Sequence, residues 1–354
     1  MAISPHKGRG AVSAPDGRYS QQSVELDEEY DWERTQVAPE TVLRAMRAGR
    51  IIAENRSPDV PFSRSINPYQ GCEHGCVYCY ARPSHSYIDL SPGLDFETRI
   101  FYKPNAAKRL LEAWEKPGYV VKSITLGANT DPYQPAERKT RVTRELIELF
   151  VRHRHPLNII TKGTLIERDL DLLSVLARQR LLSVAVSLPT LDPALKRIME
   201  PRVPSATARL KTVERLTAAG IPVHVLAAPM IPAINDNELE SVLQAAAQAG
   251  AGGAAYIFLR LPHEVSELFQ DWLGTHFPDR AAHVMSLVRQ ASGGRDYDNR
   301  FGHRQTGQGP FAALLASRFR IACRKLGLVE GEYQQVLDTS AFIKPGAQQM
   351  GLGF

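Results

Sequence analysis

The sequence contains few cysteines and no long apolar run. No stretch of about 18 consecutive apolar residues occurs, so we expect no membrane-spanning segment. The N-terminus also lacks the apolar core of a secretory signal. Only four cysteines occur in 354 residues, and three of them lie between positions 72 and 79. A disulfide framework would distribute its cysteines along the chain, so this clustering argues against a secreted protein and predicts a metal site in a cytoplasmic one.

The charge balance permits an anionic partner without requiring one. The formal net charge is +5. Arg44, Arg47 and Arg50 recur at three-residue spacing, and we predict a short basic helix over residues 40–52. The stretch 293–304 mixes arginine with tyrosine, phenylalanine and glycine, which suits contact with phosphates and stacking on bases, and equally suits a solvated loop. Nucleic acid is therefore a candidate partner, although no recognised nucleic-acid module occurs.

From residue 65 onward, short β-branched runs alternate with longer helical runs. Strands are predicted over residues 64–69, 120–128, 157–161, 182–187, 222–227 and 255–259, and helices over residues 105–116, 139–153, 166–179, 206–219 and 237–249. This alternation with short connections is typical of parallel strands joined by right-handed crossovers. Six strands are too few to close an eight-stranded barrel, so we predict an α/β fold with a partial, open (βα)6 TIM-type barrel.

The regions outside residues 65–261 are predicted to extend this core. Residues 1–40 are polar and turn-rich, and we expect a disordered tail there. Residues 41–64 form a basic N-terminal extension. Residues 262–354 form a mostly helical C-terminal extension, with helices over 263–290, interrupted near Pro278, and over 310–326.

The strongest chemical signal is a cysteine cluster directly after the first predicted strand, with the sequence Gly71-Cys72-Glu73-His74-Gly75-Cys76-Val77-Tyr78-Cys79-Tyr80. Ligands gather at the carboxyl ends of strands in such sheets. Three thiolates on one loop can each bind one iron of a cubic [4Fe–4S] cluster, which leaves the fourth iron open to a small molecule. Two alternatives are a structural zinc site, with His74 or His85 as fourth ligand, and a set of buried thiols. Cys323 is interpreted as a buried apolar residue outside the site.

The spacing Cys-x3-Cys-x2-Cys, with an aromatic residue before the third cysteine, resembles the signature of the radical S-adenosylmethionine (SAM) superfamily. The resemblance implies that Cys72, Cys76 and Cys79 hold a [4Fe–4S] cluster whose open iron chelates SAM. It implies that one electron cleaves SAM to methionine and a 5′-deoxyadenosyl radical, which abstracts hydrogen from a substrate that the sequence does not identify. A reductant such as flavodoxin or ferredoxin is then required. The alternative from another class is a non-catalytic, metal-containing nucleic-acid-binding protein.

Polar side chains follow the later predicted strands. Thr130 and Asp131 follow the second strand, Lys162 follows the third, and Ser187 ends the fourth. Short hydroxyl, carboxylate and ammonium groups at these positions can hold the polar end of a small ligand. Each also has a structural interpretation: a capped turn for Asp131, a surface lysine with a buried stem for Lys162, and a strand end for Ser187.

Several strings between about Ser65 and Leu261 resemble one branch of the superfamily, the spore photoproduct lyase-like or DNA repair photolyase-like proteins. These strings are Asn67-Pro68-Tyr69, Tyr80-Ala81-Arg82, Thr130-Asp131-Pro132-Tyr133, Glu200-Pro201-Arg202 and the segment from Pro229 to Asp236. The resemblance implies that Tyr80 lies near SAM and that Thr130, Lys162 and Ser187 contact its amino acid moiety; Asp131 is placed with them as a cofactor-binding candidate. One position departs from the branch: Ala128 stands where spore photoproduct lyases resemble one another in having a hydrogen-donating cysteine. Repair of a thymine dimer by that route is therefore not expected.

Overall fold

The structure is a computed structural model that describes residues 8–20, 40–330 and 337–346. Its strands are β1 Val42–Ala45, β2 Ile52–Glu54, β3 Arg64–Ile66, β4 Tyr69–Gln70, β5 Arg99–Tyr102, β6 Ile124–Leu126, β7 Leu157–Thr161, β8 Leu182–Ser187, β9 Val223–Met230, β10 Gly253–Phe258 and β11 Val329–Glu330. Its α-helices are α1 Leu94–Thr98, α2 Ala106–Glu115, α3 Glu137–Thr140, α4 Val142–Arg152, α5 Leu170–Arg178, α6 Pro193–Met199, α7 Ala206–Ala218, α8 Leu239–Gln248, α9 Val265–His276, α10 Pro278–Ala291 and α11 Gly309–Leu326.

The main sheet has the strand order β11-β10-β9-β8-β7-β6-β3-β2. Neighbours from β3 through β6, β7, β8, β9 and β10 are parallel, and β2 pairs antiparallel with β3. Strands β8 and β9 are buried at every position, as expected for strands covered on both faces. The six strands from β3 to β10, parallel and with helices between them, confirm the predicted open, partial (βα)6 barrel; the two-residue β11 adds to its edge, parallel to β10.

The predicted strand boundaries hold best in the middle of the sheet. The bounds of β7 and β8 are those predicted, whereas the strand expected over residues 120–128 is paired only as β6. The first predicted strand is divided into β3 and β4. Pro68 lies at the division; it has no N–H to donate to a ladder, and β4 turns away to pair with β5 in a second, three-stranded sheet.

The helix predicted over residues 40–52 is wrong, because this segment forms two strands. Strand β1 pairs in parallel with β5, where Val42 lies opposite Arg99, and β2 pairs with β3. Arg44, Arg47 and Arg50 therefore do not share a helical face. Hydrogen bonds to distant strands override the weak local preference for a helix here.

The disordered tail expected over residues 1–40 is wrong for residues 8–20. Arg9, Ala11 and Val12 are buried. The Glu97 carboxylate accepts the backbone N–H groups of Gly10 and Ala11 at 3.0 and 2.9 Å. A specific carboxylate partner thus orders a segment whose composition alone predicts disorder. Residues 1–7 and 21–39 lie outside the described residues.

The C-terminal helices agree with the prediction, with α9 and α10 separated at Pro278 and α11 after them. Residues 337–346 cover the end of the sheet near α2, where the Phe342 ring packs on those of Trp114 and His155. None of the helices in the described part of the chain combines the length and apolarity that crossing a bilayer requires.

Candidate functional site

A buried side-chain amide fixes one half of the cysteine loop that follows β4. The Gln134 side chain donates to the Gly71 carbonyl at 3.1 Å and accepts the Glu73 N–H at 2.9 Å. Gly71 and Gly75 take left-handed φ values of 82° and 66°, which favour glycine. The backbone on both sides of Cys72 is therefore fixed by the loop that follows β6.

A buried ion pair supports the other half of the loop. The Arg82 guanidinium donates to the Cys76 carbonyl at 3.0 Å and pairs with the Glu97 carboxylate, and both side chains are fully buried. Glu97 also binds the N-terminal segment. Gly10 in that segment approaches the loop so closely that a Cβ there would lie 1.8 Å from the Gly75 carbonyl oxygen. The N-terminal segment is thus packed directly on the cysteine loop.

A cavity of about 180 Å³ lies at the carboxyl ends of the parallel strands, inside the cysteine loop. The predicted site residues that line it are Cys72, Cys76, Cys79, Tyr80, Asp131, Lys162 and Ser187. Thr130 is the exception: it does not line the cavity, because its buried hydroxyl donates to the Tyr69 carbonyl at 2.8 Å. The fold therefore brings together seven of the eight residues selected from the sequence.

Asp131 connects the cysteine loop to strand β7. Its carboxylate lies 3.3 Å from His74 Nδ1 and accepts the Thr161 hydroxyl and the Lys162 N–H, both at 2.7 Å. Burial by itself raises the pKa of the Asp131 carboxyl, but His74 and these hydrogen bonds outweigh it and lower the pKa. The carboxylate also accepts the Tyr133 N–H, as a capped turn requires. Asp131 thus fixes the cysteine loop relative to the end of β7.

Lys162 is a largely buried cation that lines the cavity rather than a surface lysine. Its ammonium lies 3.1 Å from the fully buried Glu200 carboxylate, which Arg209 also approaches at 2.8 Å. The Tyr78 hydroxyl donates to the same carboxylate. Burial by itself raises the pKa of Glu200, but Arg209 and Lys162 outweigh it and lower the pKa to about 2. This network ties the aromatic residue of the cysteine loop to the end of β7.

The donor set fits an iron–sulfur cluster better than a zinc ion. All three loop cysteines are free thiols, and burial raises the pKa of each, so a bound cation would be needed to favour the thiolates. His74 faces Asp131, and His85 Nε2 lies 3.0 Å from the Arg99 carbonyl. Among the described residues, no three His, Cys, Asp or Glu side chains are arranged to hold a single ion. The thiolates of a cubic cluster bind separate iron atoms and need not converge on one point.

Sequence reasoning missed several residues that line the cavity. Val60, Phe62, Ile257 and Phe258 among them are apolar, and Arg260 and Gln305 are polar. The Arg260 guanidinium lies 4.8 Å from the centre of the Tyr80 ring. Arg260 follows the sixth parallel strand, so the strand-end rule could have found it. Val60 and Phe62 lie between β2 and β3, and no local signal places them in the cavity.

Ala128 lines the cavity at the position where the resemblance led us to look for a cysteine, and its carbonyl accepts the Tyr80 hydroxyl. Cys323 is buried in α11 and does not line the cavity. In the described part of the chain, the cavity therefore offers no thiol beyond those of the cysteine loop.

An open (βα)6 sheet with three free cysteines on the loop after β4, facing the cavity at the carboxyl ends of the parallel strands, defines the class of radical SAM enzymes. A family model described as the radical SAM superfamily matches residues 66–246. The chain belongs to this superfamily, and it is a radical SAM enzyme. Membership implies an iron–sulfur cluster and SAM as cofactors.

Relatives of known sequence do not define the reaction. The chain is 38% identical over 243 residues to an uncharacterized protein of Mycobacterium tuberculosis, covering 67% of this chain and 72% of the relative. It is 27% identical over 173 residues to an uncharacterized protein of Methanocaldococcus jannaschii, covering 49% of this chain and 62% of the relative.

Solved structures of spore photoproduct lyase share the fold. One, complexed with dinucleoside spore photoproduct, has a TM-score of 0.60 at 14% identity and covers 81% of each chain. Another, a mutant with bound AdoMet and dinucleoside spore photoproduct, has a TM-score of 0.61 at 14% identity, covering 88% of this chain and 87% of that chain. At this identity the likeness establishes the architecture alone.

Proposed function

We propose that this protein binds a [4Fe–4S] cluster through Cys72, Cys76 and Cys79, cleaves SAM reductively, and removes a hydrogen atom from a substrate that enters the same cavity. The observation that carries the proposal is the convergence of the three thiols with Asp131, Lys162, Ser187 and Tyr80 on one cavity at the strand ends. A bound cluster of this kind supplies one electron to the sulfonium of SAM, which yields methionine and a 5′-deoxyadenosyl radical.

The protein's own residues divide the cavity into a polar and an apolar part. Lys162 supplies a cation that can bind the SAM carboxylate, and Ser187 supplies a hydroxyl at the neighbouring strand end. Ala128, Pro229 and Ile257 line the apolar part, which suits an adenine ring and excludes water from a reactive radical. The substrate carbon would then lie between this part and Arg260.

The test is anaerobic reconstitution of the full chain with iron and sulfide, followed by reduction with dithionite in the presence of SAM. We expect about four irons per chain and release of 5′-deoxyadenosine, measured by mass spectrometry. Cys76→Ala should lose the brown absorbance and the product, whereas Cys323→Ala, outside the cavity, should retain both. Binding of a single zinc, or a full iron content in Cys76→Ala, would overturn the ligand assignment.

The same experiment separates the enzyme from the non-catalytic alternative. A protein that keeps a structural metal and only binds nucleic acid would release no 5′-deoxyadenosine under any reducing condition. Membership in the superfamily favours the enzyme, and production of 5′-deoxyadenosine above the level of the Cys76→Ala variant is the outcome that we expect.

We further propose nucleic acid as the first substrate class to test. The loop over residues 293–308 lies at the cavity, because Gln305 lines it and the Gln305 carbonyl accepts the Phe258 N–H at 2.7 Å. Arg300 and Phe301 in this loop have exposed fractions of 61% and 57%. An arginine next to an aromatic residue in the sequence suits a phosphate and a stacked base. The dinucleoside bound by the structurally similar spore photoproduct lyase supports the same choice.

Binding of a fluorescent single-stranded oligonucleotide tests this substrate class. Arg300→Ala and Phe301→Ala should each weaken binding about fivefold or more, since one stacked base contributes about 1–3 kcal/mol. Arg324→Ala, on the exposed face of α11, is the matched control and should not change it. Equal binding by all three variants would remove the loop from the substrate site.

A further inference from the structure

A second, polar cleft of about 640 Å³ lies against the outer side of the cysteine loop and shares no lining residue with the cavity. Glu73, the residue after Cys72, forms part of its floor. Arg202 pairs with Glu73 at 3.2 Å, and its backbone N–H donates to the His74 carbonyl at 3.3 Å. We name this the loop cleft, because Glu73 of the cysteine loop lines it.

The described residues that line the loop cleft carry an excess of one positive charge. Arg9, Lys139 and Arg202 line it, against Glu40 and a Glu73 that is buried beside Arg202. Charge complementarity therefore points to an anionic partner. Arg138 precedes Lys139 on α3 and is exposed, so it adds a further positive charge close to the cleft.

Two of these cations are held side by side by one hydroxyl. The Thr41 hydroxyl accepts from both guanidinium groups, from Arg9 at 3.2 Å and from Arg202 at 3.4 Å. Burial and the nearby Arg202 both lower the pKa of Arg9. Two guanidinium groups this close together raise the local positive potential. That potential would attract an anionic protein surface.

We propose that the loop cleft is the docking surface for an acidic one-electron carrier protein of the flavodoxin class. This inference rests on the proposed function, because the carrier is needed only if the cluster must be reduced. The carrier loses one electron and the cluster gains one, and no atom is transferred. A carrier that docks here leaves the cavity to SAM and substrate, so an electron can arrive while both are bound.

Complexes between electron-transfer proteins form on small, charged surfaces such as this cleft. Electron-transfer complexes are weak and bury less than about 1,200 Å². Their association is steered by charge and falls steeply with ionic strength. The cleft needs no large apolar patch for this purpose, and its lining residue Lys139 is exposed to an incoming partner.

The test uses the reconstituted full chain and, as probe, a bacterial flavodoxin. Binding of oxidised flavodoxin is measured by calorimetry, and cluster reduction by fully reduced flavodoxin is followed by stopped-flow absorbance. Lys139→Glu should raise the Kd and slow electron delivery about fivefold at low salt. The difference should vanish near 0.5 M salt, where screening is nearly complete. Arg202→Gln should act in the same direction.

The matched control is Lys325→Glu, an equal charge reversal on α11, which packs against α8 at the other edge of the sheet. It should change neither quantity, and dithionite should reduce all variants at the same rate. Unchanged flavodoxin binding in both Lys139→Glu and Arg202→Gln, or wild-type binding that is insensitive to salt, would overturn the docking surface. Absence of 5′-deoxyadenosine after dithionite reduction would instead overturn the proposed function, while the calorimetric result would still decide the cleft.

Discussion

The Lys162 ammonium lies 3.1 Å from the Glu200 carboxylate on the wall of the cavity that Cys76 lines. Glu200 is fully buried and is shared with Arg209 and the Tyr78 hydroxyl. Lys162 is therefore held at a fixed position with its charge partly balanced. Such a cation can reach a ligand carboxylate without a large loss of side-chain freedom.

Replacement of Lys162 by alanine should weaken SAM binding about tenfold or more, because a charge-assisted hydrogen bond contributes about 1.5–3 kcal/mol. Equilibrium dialysis of labelled SAM against the reconstituted protein measures the change. Lys211→Ala, on the exposed face of α7, is the control and should bind SAM normally. An unchanged Kd for Lys162→Ala would remove this residue from the SAM site.

Replacement of Gln134 by leucine should loosen the cysteine loop. The change removes both hydrogen bonds to the backbone beside Cys72 and leaves a buried carbonyl and N–H unpaired, at a cost of about 1–3 kcal/mol each. We expect a lower iron content after reconstitution and a broadened electron paramagnetic resonance signal. Gln290→Leu, at an exposed position of α10, should behave as wild type. A normal iron content and signal in Gln134→Leu would contradict this positioning role.

Gly10→Ala tests the contact between the N-terminal segment and the cysteine loop. The added Cβ would lie 1.8 Å from the Gly75 carbonyl oxygen, so the segment must move away from the loop. We expect faster proteolysis of residues 8–20 and faster loss of the cluster in air. Gly49→Ala is the control, since its Cβ would meet no atom within 4 Å. Equal behaviour of the two variants would show that the close packing is not required.

Protonation of His155 should lower the free energy of unfolding in mild acid. The ring is buried and stacks on Trp114 at a centroid distance of 4.8 Å, and burial lowers its pKa to about 3. Because the folded pKa lies below the unfolded value of about 6.5, the unfolded chain binds the proton first, and stability is lost as the pH falls from about 6.5 toward 3. Between pH 7 and pH 5 this group should cost about 2 kcal/mol.

Urea unfolding at the two pH values measures this loss. His155→Gln should show a smaller decrease in the free energy of unfolding between pH 7 and pH 5, by about 2 kcal/mol. His283→Gln, at an exposed position of α10, should retain the wild-type decrease. An equal decrease in His155→Gln would mean that His155 is not the group responsible.

The sequence by itself determined the cysteine loop and the class of the fold. The spacing of Cys72, Cys76 and Cys79 is local, and so are the two glycines that shape the loop. The central strands could be predicted because a parallel strand covered on both faces must be mostly apolar, as in β8, where Leu182, Val184, Ala185 and Val186 are apolar. Lys162 and Ser187 followed from the rule that ligand groups lie at strand ends.

Only the tertiary structure decided what those groups contact. Residues 40–52 became strands because partners far along the chain offered hydrogen bonds, and residues 8–20 became ordered because Glu97 accepted their N–H groups. The Thr130 hydroxyl donates to the Tyr69 carbonyl and does not line the cavity, whereas Val60 and Phe62 do. These contacts join residues that are distant in sequence. Their energies depend on packing between elements, which no local pattern of residues records.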